Sequence, residues 1–136
     1  MAAALVSSAV AGTAGATSLP PMHQTVDPDG VFFEGYGSAF YVPGQKLKDI
    51  RAYPIDGGHA VVIWLDEEDT QRFADLTGEM IGKPLAMWVC RHMVTRPIVR
   101  ARIDSGTAII PMPSAQRAQA LVAAFRGEAE CPDMTE

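Results

Sequence analysis

The chain has 136 residues, 48% of them hydrophobic, with 11 Lys and Arg against 16 Asp and Glu, a formal net charge of −5 and a mean hydropathy of +0.07. This length holds one compact domain with tails and excludes two full domains, while the apolar fraction excludes a disordered chain. The acidic balance excludes a nucleic-acid binder, because phosphate contacts need a basic excess.

Charge is unevenly spread. No Asp, Glu, Lys or Arg precedes Asp27, and all eleven basic residues fall between Lys46 and Arg126, where nine acids accompany them. The acidity therefore belongs to the flanks, and the middle is close to neutral. Residues 1–16 (MAAALVSSAVAGTAGA) are small and apolar and end in Ala14-Gly15-Ala16, the small-x-small pattern of a signal-peptidase site. They are read as an export signal, so the expected location is periplasmic or secreted. The competing reading is an Ala/Gly/Ser tail on a cytosolic protein. Apart from this segment, left in place if uncleaved, no stretch approaches the roughly 20 apolar residues of a spanning helix.

Residues 17–46 are rich in Pro, Gly and aromatics and read as an arm, with short extended pieces at Val31 to Phe33 and Ala39 to Val42. The domain proper is expected over 47–127. Asp49 to Tyr53 and Ala60 to Leu65 flank Pro54-Ile55-Asp56-Gly57-Gly58-His59, whose glycines suit a hairpin loop. The second strand is apolar throughout, as for a strand in mid-sheet. Asp66 is placed to cap a helix over about Glu67 to Ile81. Acids fill its first turn, Phe73, Leu76 and Met80 form its apolar stripe, and Gly82 and Pro84 end it. Leu85 to Cys90 reads as a strand and Arg91-His92 as a turn. Val94 to Ile103 is expected as a returning strand with Val99, Ala101 and Ile103 inward and Arg96, Arg100 and Arg102 outward; Pro97 puts it at an edge or in a bulge. Asp104-Ser105-Gly106 turns the chain into a strand at Thr107 to Ile110. Ser114 caps a last helix with Ala118, Leu121, Val122 and Phe125 on one face, and 128–136 is an acidic tail. The order β-β-α-β-β-β-α predicts an α+β two-layer sandwich, a mainly antiparallel sheet with two helices on one face.

Val61 to Thr77 (VVIWLDEEDTQRFADLT) followed by Ile81 to Ala86 (IGKPLA), Pro97, the GTAII strand at Gly106 to Ile110 and the closing Ala-rich helix resemble the head subdomain of the first periplasmic domain of SecD, a subunit of the bacterial protein-export machinery. The likeness covers about Asp49 to Gly127. It departs at the turn, usually Asp-Gly, where this chain has Cys90-Arg91-His92, and before the last helix, where Pro111-Met112-Pro113 replaces Gly-x-Phe. SecD also carries transmembrane helices that couple export to the proton gradient. The resemblance therefore implies a fold and a peptide-handling surface rather than translocase activity.

Catalytic chemistry finds no foothold. Asp66, Glu67, Glu68 and Asp69 are accounted for by capping and the helix dipole. His23, His59 and His92 are far apart in sequence, and the Cys90-x-His92 spacing lacks a second ligand pair. No nucleophile elbow or phosphate loop is present, so neither an enzyme nor a cofactor or metal is expected. Cys90 and Cys131 are an even pair compatible with a disulfide in an exported chain, and equally with Cys90 as a buried small hydrophobe. The binding expectation falls on Arg91, Arg96, Arg100 and Arg102. They form a positive stripe on an edge hairpin that can meet an acidic protein surface or a lipid head group, and a strand edge is also where an extended peptide can add by backbone hydrogen bonds. The competing role for this stripe is solubility of an edge. The expected function is an exported, non-enzymatic module that binds peptide or protein segments in the cell envelope, accessory to export. The alternative is a structural subunit that docks into an envelope complex through Phe32, Phe33, Tyr36, Phe40 and Tyr41.

Overall fold

A computed structural model describes residues 29–134. The signal-like residues 1–16, His23 and the first part of the expected arm lie outside them.

The fold is α+β, as expected from the element order, with two antiparallel sheets. The first sheet has the strand order β2-β1-β5-β6, formed by β1 (Gly30–Glu34), β2 (Ala39–Pro43), β5 (Ala86–Val89) and β6 (His92–Thr95). The second has the order β3-β4-β7, formed by β3 (Asp49–Ile55), β4 (Gly58–Trp64) and β7 (Thr107–Met112). Helix α1 (Glu67–Glu79) follows β4, and helix α2 (Ala115–Phe125) follows β7 and packs on β3 and β4.

Both helices start where their caps predict. Asp66 Oδ1 accepts a 2.8 Å hydrogen bond from Asp69 N, and Ser114 Oγ accepts one of 3.1 Å from Arg117 N. The β3–β4 hairpin also forms, with Gly57 at φ +80° in its turn. The core lies between these elements: Phe33, Val61, Ile63, Met80, Ile110, Leu121 and Phe125 are all fully buried.

Four local features differ from the sequence reading. The stretch read as an arm supplies two strands, and β1 lies inside its sheet, paired with β2 on one side and β5 on the other. Phe32 and Phe33 are core residues, with the Phe33 ring 4.7 Å from Phe73 and 5.1 Å from Phe40. These aromatics hold the fold together and are not available for docking elsewhere. The arm is also pinned at its end: Gly44 N donates to Asp29 O at 2.9 Å, and a Cβ on Gly44 would overlap the backbone oxygens of Asp29 and Phe125.

Second, the strand expected over Val94 to Ile103 stops at Thr95, because Pro97 has no N–H to continue the ladder. Two single bridges follow, Pro84 with Ile98 and Ile81 with Val99. Ala101, expected to face inward, is exposed. Third, the β5–β6 turn is Cys90-Arg91, both at positive φ (50° and 61°), one residue earlier than expected. Fourth, the acidic tail is strapped down, by the disulfide that was one of the two readings of its cysteine. Cys131 is disulfide-bonded to Cys90, and Met134 packs against the core.

Candidate functional site

Leaving the ladder at Arg96 gives the chain a second path. Residues 97–103 cross back over α1 and run beside β7, and the space between them is an apolar groove of about 430 Å³. Phe73 from α1, Leu85, Met87 from β5 and Ala108 from β7 form its buried floor. Its mouth is apolar too: Ile98 is 47% and Ile109 55% exposed, large values for isoleucine.

The far wall is fixed by one buried hydroxyl. Thr77 Oγ1 donates to Phe73 O at 2.8 Å and accepts from Ile103 N at 2.8 Å. Replacing Thr77 with valine leaves the Ile103 N–H without its partner. T77V is expected to cost about 1–3 kcal/mol and to speed amide exchange at Ile103 ahead of the strands, as hydrogen-exchange NMR would show. Unchanged protection at Ile103 would refute the clamp.

The structure places the four predicted arginines unequally. Arg100 lines the groove, and Arg96 and Arg102 are exposed on the segment that forms its wall. Arg102 Nη1 is 3.6 Å from Asp75 of α1, a contact that holds the segment to the helix. Arg91 sits at the β5–β6 turn, the length of β6 away from Arg96. Of the four, Arg100 therefore lines the groove, Arg96 lies just before its wall and Arg102 turns to α1.

The acidic cluster is structural. Lys46 Nζ lies 2.9 Å from Asp69 Oδ2, 3.0 Å from Glu68 Oε1 and 3.8 Å from Asp66 Oδ2. These carboxylates, Asp69 first, raise the Lys46 pKa above its ordinary 10.5. Asp69 itself is fully buried at the helix start. Among the described residues no three His, Cys, Asp or Glu converge as a metal site.

Sequence reasoning missed the groove floor and one uncovered surface. Strand β4 lies in mid-sheet, as expected, but the small sheet carries a helix on one face only. On the other, Val62 and Trp64 are half-buried beside exposed Tyr53, Ile55 and Ile109, and Arg51 lies over the Trp64 ring at 5.9 Å. The signal was there in part, since Arg51, Tyr53 and Ile55 alternate with inward residues.

Comparison with known proteins agrees with this geometry. The family model described as "SecDF, P1 head subdomain" matches residues 35–129. The chain is 38% identical over 69 residues to a protein translocase subunit SecD from Desulfurispirillum indicum, covering 49% of this chain and 13% of that protein. Among solved structures it is similar to SecDF, described as a membrane component that enhances protein export, with a TM-score of 0.58 at 28% identity over 63% of this chain and 40% of that one. A crystal structure of SecDF in a super-membrane-facing form matches with the same score and identity, over 63% of this chain and 12% of that one. The chain thus spans well under two thirds of each of these relatives.

Proposed function

We propose a function from one premise: the chain belongs to the family of the SecDF P1 head subdomain. It is a non-enzymatic module that holds extended, apolar protein segments in the cell envelope and serves protein export. One observation carries this reading, the apolar groove between residues 97–103 and β7, with Arg100 in its lining and exposed Arg96 and Arg102 close by in the chain. Folded proteins seldom leave such a surface uncovered, and an emerging polypeptide is a chain whose apolar residues have no core yet. The positive edge favours segments with acidic residues flanking the apolar ones, and it speeds their encounter more than it deepens their binding. An envelope location is supported by the signal-like start and by the disulfide, since such bonds persist in oxidising compartments. Among the described residues no helix is long and apolar enough to cross a membrane.

The test is charge reversal at the groove edge. R96E/R100E/R102E is expected to weaken capture of a chemically unfolded acidic client about tenfold at low salt, with a smaller loss at physiological salt where surface charges are screened. Light scattering of the aggregating client reads this out, and circular dichroism shows that the variant is folded. Undiminished protection by a folded variant would remove the arginines from the site. A structural subunit remains the second reading, favoured by the uncovered face at Tyr53, Ile55 and Ile109. It would show as fixed-stoichiometry copurification with no effect on clients.

A further inference from the structure

We infer that β7 is an open template, and that the segment held in the groove adds to it as a fourth strand of the small sheet, in the order β3-β4-β7-ligand. This rests on the groove reading above and specifies how the ligand is held.

Hydrogen-bond parity decides which backbone groups of β7 face outward. Leu65 N donates to Gly106 O at 2.8 Å, in the same register that pairs Trp64 with Thr107 and Val62 with Ile109. Hydrogen-bonded and non-bonded pairs alternate along an antiparallel ladder. Ala108, Ile110 and Met112 therefore turn their N–H and C=O groups toward β4, while Thr107 and Ile109 turn theirs to the opposite edge. No strand among the described residues hydrogen-bonds to that edge, although β6 comes close to β7, and Thr107 and Ile109 are also lining residues of the groove. The groove thus presents backbone donors and acceptors at strand spacing beside an apolar floor, and an extended chain satisfies both at once.

The opposite edge of the same sheet is closed. By the same parity, Ile50, Ala52 and Pro54 of β3 face outward; Pro54 has no N–H to offer, and the Ile50 carbonyl already accepts from Arg126 Nη2 at 2.9 Å. Blunting of this kind is how proteins prevent edge pairing. On β7 the only such block is Pro111, the next outward position, so the template is confined to Thr107 and Ile109, where the groove is. The occupant is an extended, unfolded polypeptide, with alternate side chains apolar and entering the groove and an acidic residue near Arg100. A helix cannot use the edge, because its own backbone groups are already paired.

Selective N-methylation tests this on the unmodified full-length protein. The probe is a short fluorescein-labelled peptide of alternating valine and threonine ending in glutamate, read by anisotropy. N-methylation of all valines blocks one edge of the extended peptide, and of all threonines the other, with the side chains unchanged. One series is expected to lose affinity on the order of tenfold or more, the worth of two or three backbone hydrogen bonds, while the other binds like the parent. The variant I109P, which removes an outward N–H as Pro111 already does, should show the same loss, and I109A a smaller one. If both methylated series bind like the parent, side chains alone hold the peptide; edge pairing is then wrong and the groove reading stands. Loss in both series also overturns edge pairing. A parent peptide that does not bind at all overturns both readings. Self-association abolished by I109P, without peptide binding, would give the edge to a second copy and overturn the inference.

Discussion

Phe33→Ala is expected to destabilise the protein by about 3–5 kcal/mol, a large fraction of the roughly 5–15 kcal/mol that holds a typical domain folded. The residue is fully buried on a strand that sits between two others, and its ring meets Phe40 on β2 and Phe73 on α1. Truncation opens a cavity where three elements meet, and none can close it without breaking its own pairing. Removing β1 and β2 altogether is worse. Strand β5 loses its partner and becomes an edge, and the floor of the groove goes with it, because Met87 of β5 pairs with Phe33. A fragment beginning at Leu47 should therefore lack cooperative unfolding. Urea denaturation followed by tryptophan fluorescence measures the point variant. A shift in its free energy below about 1 kcal/mol would mean that the segment is an appendage after all.

Breaking the Cys90–Cys131 bond carries the second large effect. It closes a loop with a sequence separation of 41, which restricts the unfolded chain by about 4 kcal/mol in the chain-entropy account. Release of Met134 from the core adds to this, while relaxation of the left-handed angles at Cys90 and Arg91, which cost a residue other than glycine about 1–2 kcal/mol, offsets part of it. The variant C90A/C131A and the reduced wild type should show similar, lowered denaturation midpoints. An unchanged midpoint on reduction would show that the strap adds nothing.

The two helices, the β3–β4 hairpin and their order were legible because their signals are local. Asp66 and Ser114 cap the helices that follow them, and Gly57 sits where its turn needs a positive φ. The place of β1 was not legible. Its partner β5 begins more than fifty residues later, and nothing in GVFFE names AMWV as its neighbour. The disrupted strand after Thr95 was half legible, since Pro97 was visible but the return path, set by the Thr77 hydroxyl, was not. The site shows the same division. Arg96, Arg100 and Arg102 stand out by charge, whereas Phe73, Leu85 and Ala108 each look like ordinary core until the fold brings them under one opening. Pro111 was a clue of another kind, because a proline inside a strand marks the side on which no protein partner sits.

The disulfide has a mechanical consequence. Residues 97–103 and β7, both walls of the groove, lie between Cys90 and Cys131 and so inside one covalent ring. Tension applied along the chain on either side of that ring passes through the sulfur bridge and bypasses everything it encloses. Pulled as a tethered link, the oxidised protein would keep these two walls from being drawn out, whereas the floor at Phe73, Leu85 and Met87 lies outside the ring and would be pulled away. Only reduction would release the hidden length, about 140 Å for that separation at roughly 3.4 Å per residue.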